Sequence, residues 1–106
     1  MKEQKKQGCF TVNDLRQVLK QSPENLVMVD VRNPEEFAEQ HIPGAINIPL
    51  VDLDSHIKDL AGKEKIITVC TKGGGRSEEA AIFLDLKGIK GATFLCGSTK
   101  AWYEDN

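Results

Sequence analysis

No stretch of this 106-residue sequence is apolar over the roughly 18–20 residues that a membrane-crossing helix needs. The opening "MKEQKKQG" is polar, and no apolar core of a signal peptide follows it. We therefore expect a frayed tail over residues 1–8, one domain over residues 9–106, and a cytoplasmic protein. Charge of one sign is scarce: 14 Lys and Arg against 16 Asp and Glu leave a net charge of -2. That balance argues against a nucleic-acid or membrane partner. Aromatics make up only 6% of residues, but 40% are hydrophobic, enough for one core at this length. Cysteines number 3, an odd count, and no Cys-x-x-Cys occurs. Both points argue against a disulfide framework and a zinc site, so free thiols are expected. Nothing implies a metal or an organic cofactor.

What is present is an alternation of strand-like and helix-like runs. Thr11 caps a helical stripe of Val12, Leu15, Val18 and Leu19. "NLVMVDV" (25–31) is a nearly continuous apolar run, as a strand covered on both faces requires. In "NPEEFAEQ", Asn33 caps, Pro34 opens the helix and Glu36 completes a capping box. "HIPGAINIP" reads as a turn and a short strand. "VDLDSHIKDLAG" places Leu53, Ile57 and Leu60 on one helical face and stops at Gly62. "KIITVC" (65–70) is a buried strand, "SEEAAIFLDLKG" a helix ending at Gly88, and "GATFLC" (91–96) a last strand. "GSTKAWYEDN" reads as a closing tail. The order predicts an α/β domain with a mostly parallel sheet. Ligands bind beyond the carboxyl ends of such strands.

Cys70 stands at one of those ends, followed by Thr71, Lys72, Gly73, Gly74, Gly75, Arg76 and Ser77. A thiol there would face a helix N-terminus, where backbone N–H groups lack partners and carry partial positive charge. Three glycines let successive N–H groups turn inward as an anion-holding nest. Lys72 and Arg76 would add full charges. All of this favours the thiolate, which is the nucleophile. The order G-x-x-x-x-G-K-[ST] of a nucleotide phosphate loop is absent.

"VMVDVRNPEEFAEQHIPGAINIP", the Cys70-to-Arg76 loop after "IITVC", "RSEEAAIFLDLKGIKGATFLCG" and "GSTKAW" together resemble a single-domain rhodanese. The resemblance runs over about residues 10 to 103. It implies a rhodanese-like three-layer domain: a five-stranded, mostly parallel sheet with helices on both faces. It also implies a sulfurtransferase in which Cys70 takes a sulfane sulfur from thiosulfate or a similar donor and becomes a persulfide. A thiol, including a protein thiol, or cyanide then accepts the sulfur. The backbone of 71–76 would hold the persulfide and the departing anion. Two departures are visible. The family's sulfurtransferases usually have Cys-x-x-Gly-x-Arg-Ser, whereas this loop is Cys-x5-Arg. The longer loop is similar to that of the fold's phosphatases and arsenate reductases, although Val69 stands where those usually carry His. Ser98 replaces a usual glycine of the second signature. A non-catalytic sulfur carrier or regulatory module is the third reading.

Other residues admit plainer roles. Asp30 and Arg32 suit a structural ion pair at a strand end. His41 marks a turn, and His56 lies on a polar face. Trp102 would pack over the sheet edge. Ser77 either caps the helix or donates to bound sulfur. Cys96 is a buried small hydrophobe or a resolving thiol for Cys70, and Cys9 has no assigned role.

Overall fold

The computed structural model describes residues 9–72 and 75–104. The expected tail over 1–8, with Gly73 and Gly74, lies outside the described residues. The strands are β1 (Cys9–Phe10), β2 (Leu26–Asp30), β3 (Ile46–Asn47), β4 (Lys65–Val69) and β5 (Ala92–Leu95). Between and after them run α1 (Val12–Gln21), α2 (Pro34–Glu39), α3 (Ile57–Leu60), α4 (Gly75–Leu86) and α5 (Ser98–Glu104). All strands pair in parallel, in the order β1-β5-β4-β2-β3. Asp30 pairs with Val69 on one side and Asn47 on the other, so these carboxyl ends are level.

Parity along β4 decides where the thiol points. Ile67 and Val69 pack with Val12, Leu15 and Leu95 on one side of the sheet. Ile66 packs with Leu53, Leu60, Ala80 and Leu84 on the other. Successive side chains alternate between faces, so Thr68 and Cys70 share the α4 face with Ile66. Cys70 accordingly joins the cluster around Ala80 and Leu84. The Thr68 hydroxyl donates 2.7 Å to the Ser77 carbonyl and ties β4 to the first turn of α4.

Local signals did their work at the helix starts. The Thr11 hydroxyl accepts the Asp14 N–H at 3.0 Å. Asn33 and Glu36 form the capping box of α2. Three readings need correction. Residues 50–56 form a 3₁₀ helix rather than one α-helix through to Leu60. The Ser55 hydroxyl, at 2.8 Å, and His56 Nδ1, at 3.0 Å, bond to the Asp52 carbonyl there, competing with the α-helical ladder. The closing segment is a helix, α5, and not a tail. Gly97 makes its entry possible: it sits at φ +75°, and an added Cβ would run into the Ala101 side chain. Finally, Cys9 and Cys96 form a disulfide with Cα atoms 5.3 Å apart across a separation of 87 residues. The parallel pairing of Cys9 beside Phe94 brings these distant residues together. Cys96 is therefore not available to Cys70 as a resolving thiol in this state.

Denatured, unreduced protein should yield one thiol to Ellman's reagent, since two of the three cysteines are bridged. Full reduction should yield all three. Closing so long a loop restrains the unfolded chain, so reduction should lower stability by about 2–4 kcal/mol in chemical denaturation. Three thiols before reduction would contradict the bridge.

Candidate active site

The end of β4 is held on two sides. Cys70 is 4% exposed, and Ser77 and Ser98 are fully buried beside it. The thiol donates to Ser77 Oγ at 3.2 Å. The Cys70 N–H donates to Ser98 Oγ at 3.0 Å. The first turn of α5 completes the attachment: Thr99 N–H donates to the Cys70 carbonyl at 3.1 Å and Lys100 N–H to the Thr71 carbonyl at 2.9 Å. Ser98 Oγ also lies 3.8 Å from the Cys70 sulfur and 3.4 Å from Ser77 Oγ. A buried sulfur with hydroxyls around it can carry negative charge, and hence act as a nucleophile.

Of the expected cradle over 71–76, the described residues are Thr71, Lys72, Gly75 and Arg76. α4 begins at Gly75, which takes φ +49°, so Arg76 and Ser77 already lie in its first turn. Thr71 and Lys72 are exposed, and Gly73 and Gly74 are outside the described residues. Ser77 lies against the sulfur rather than acting only as a cap. Arg76 makes its shorter hydrogen bonds outside the loop. Its guanidinium grips Glu36, Nη1 to Oε1 at 2.9 Å and Nη2 to Oε2 at 3.2 Å, and Nη2 reaches Thr71 Oγ1 at 3.4 Å. Glu36 in turn accepts the Asn33 N–H at 3.0 Å. The Arg76 hydrogen bond, and then the Asn33 N–H, pull the Glu36 carboxyl from an ordinary 4.5 to about 2. The pKa of Arg76 is raised, chiefly by Glu36, with smaller electrostatic contributions from Cys70 and Asp30. Its charge thus remains near the sulfur while its fork joins α2 to α4.

Asp30 and Arg32 form the structural ion pair. Arg32 Nε donates to Oδ1 at 2.9 Å and Nη2 to Oδ2 at 2.8 Å, with Asp30 fully buried. Arg32 also donates to the Gln40 carbonyl at 2.6 Å, fixing the end of α2 to the end of β2. Its pKa is raised by the Asp30 hydrogen bond, which outweighs desolvation. The His41 ring stacks on Phe37 with centroids 3.7 Å apart, as part of the turn. Trp102 packs with the cluster of Val12 and Leu15, and the Arg16 guanidinium lies 4.1 Å from its ring centroid. Among the described residues no group of three His, Cys, Asp or Glu side chains could hold a metal ion. None of the described helices is long and apolar enough to cross a membrane. Beside the loop, Arg32, Gln40, Thr71, Lys72, Lys100 and Tyr103 border a groove of about 470 Å³.

Sequence reasoning missed Ser98 as a member of this site. The serine stands out in the sequence only as a replacement for a usual glycine. Only the packing of α5 against β4 brings that hydroxyl to the thiol.

Residues 11–105 match the family described as Rhodanese-like domain. Thiosulfate sulfurtransferase 16, chloroplastic, from Arabidopsis thaliana is 33% identical over 85 residues, 70% of this chain and 71% of that protein. The putative sulfur carrier protein YrkF of Bacillus subtilis is 33% identical over 81 residues, 76% of this chain and 43% of that protein. The structure of the human single-domain sulfurtransferase TSTD1 is similar with a TM-score of 0.79 at 26% identity, covering 95% of this chain and 99% of that one. The chain spans less than half the length of several curated relatives that it matches.

Because Glu36 is more acidic in the folded chain than its ordinary value, its ionised form favours folding. That contribution is complete above about pH 4.5 and is lost as pH falls toward 2. Glu36→Gln should therefore make stability less dependent on pH between those values, as read by urea denaturation at several pH values. The side chains are 37% exposed, so solvent screening limits the loss at neutral pH to about 1 kcal/mol. An unchanged acid limb would count against the pair.

Proposed function

We propose that this chain, which belongs to the rhodanese-like domain family, is a sulfurtransferase that moves a sulfane sulfur through a Cys70 persulfide. The observation that carries this reading is the buried Cys70 thiol at the carboxyl end of β4, hydrogen-bonded to Ser77 and held at its own N–H by Ser98. In the first half-reaction the Cys70 thiolate attacks the outer sulfur of thiosulfate. A new S–S bond forms, the donor's S–S bond breaks, and sulfite leaves with the electron pair. In the second, an acceptor thiolate or cyanide attacks the outer sulfur of the persulfide and Cys70 leaves as thiolate. Neither half-reaction needs an external oxidant. The groove bordered by Lys72 and Lys100 offers the acceptor an approach beside the loop. The relatives named as sulfurtransferases support sulfur transfer as the class of reaction.

The Cys-x5-Arg loop favours a second reading, a phosphatase or arsenate reductase. Such an enzyme needs a general acid to protonate the leaving oxygen. Between Cys70 and Arg76 the loop carries only Thr71, Lys72 and three glycines, none of them a carboxylic acid or a histidine, which favours sulfur transfer.

Intact mass after incubation with thiosulfate tests the proposal. The wild-type protein should gain about 32 Da, one sulfur. Cyanide should remove it, and Cys70→Ala should gain nothing. A wild-type protein that gains no sulfur but hydrolyses para-nitrophenyl phosphate would transfer the assignment to the second reading.

A further inference from the structure

Ser98 is the one non-glycine residue with a positive φ among the described residues, at +51°. That conformation is unfavourable for a side-chain-bearing residue and is the natural place for glycine. Yet the Ser98 side chain is fully buried and densely bonded. Its oxygen accepts the Cys70 N–H at 3.0 Å. Its single proton has three acceptors in reach: the Leu95 carbonyl at 3.3 Å, Ser77 Oγ at 3.4 Å and Cys70 Sγ at 3.8 Å. Which one takes it depends on the charge of the sulfur. Beside a neutral thiol, the carbonyl is the better acceptor. Beside a thiolate, charge-assisted bonds are stronger. The Ser98 proton then turns to the sulfur, or to Ser77 Oγ while the Ser77 proton turns to the sulfur 3.2 Å away.

We propose that Ser98 is a catalytic residue, whose hydroxyl stabilises the Cys70 sulfur anion directly and through Ser77 while anchoring the Cys70 backbone. This rests on Cys70 being the nucleophile. The thiol proton leaves to solvent, and both serines keep theirs, so only hydrogen bonds change. A small residue that merely permitted the turn would not need a hydroxyl at this position.

Two substitutions separate the hydroxyl from the backbone. Ser98→Gly removes the hydroxyl and relieves the positive φ, so the fold should persist. Ser98→Ala removes the hydroxyl and keeps the strain. The readout is thiolate absorbance near about 240 nm during a pH titration of oxidised protein, with Cys70→Ala as the blank. Cys9 and Cys96 are bridged and do not contribute. Both Ser98 variants should titrate about 1 pH unit higher than wild type. An unchanged or lowered midpoint in Ser98→Gly overturns the proposal, as does a shift in Ser98→Gly that a folded Ser98→Ala does not share. Should Ser98→Ala fail to fold, Ser98→Gly decides alone. The titration involves no sulfur donor, so its result stands whether or not thiosulfate loads Cys70.

Discussion

The attachment of α5 to the end of β4 is the constraint on which the site depends. Three backbone groups of Cys70 and Thr71 are satisfied by Ser98 Oγ and by the N–H groups of Thr99 and Lys100. Each bond contributes only about 1 kcal/mol net, but leaving such a group buried and unmade costs about 1–3 kcal/mol. The strand end is thus fixed before the glycine-rich loop begins. Gly97 is part of the same device, since any larger residue would meet Ala101 and push α5 away.

From the other side, two arginines fasten the elements around that strand end, and neither behaves as a loose surface charge. Arg32 holds the buried Asp30 carboxylate and the end of α2. Arg76 holds Glu36 at the start of α2. Both ends of this short helix are therefore set by guanidinium forks, whose planar geometry suits carboxylates. Positive charge stands near the sulfur, which favours an anionic state, while the Arg76 fork is occupied. A site charged in this way suits a sulfur anion at Cys70.

Much of this was legible in the sequence because it is local. The apolar run of residues 65–70 is a strand that ends at the thiol, and Asn33, Pro34 and Glu36 write the start of α2. The parallel sheet followed from continuous apolar runs separated by helical ones. The remainder depends on contacts between distant residues. Cys9 and Cys96 are adjacent only because β1 joins β5, so an odd cysteine count carried no information about them. The partner of Arg76 lies 40 residues away. α5 was missed because Gly97 and Ser98 are turn residues and the helix has only seven residues, too few for a periodic apolar stripe. Its stability comes from Ala101 and Trp102 packing against α1 and the sheet, which no propensity within the segment reveals.

Ser98 shows why local and global preferences part company here. A left-handed backbone costs a serine roughly 1–2 kcal/mol relative to glycine. Were the residue only a hinge, glycine would make the same turn with less strain. What the serine adds is one buried hydroxyl between the Cys70 N–H, the Cys70 sulfur and Ser77. A strained residue persists where its surroundings over-determine it, and such residues gather at functional sites. The strain therefore falls on the residue whose side chain reaches the Cys70 sulfur, at the point where α5 and β4 are joined.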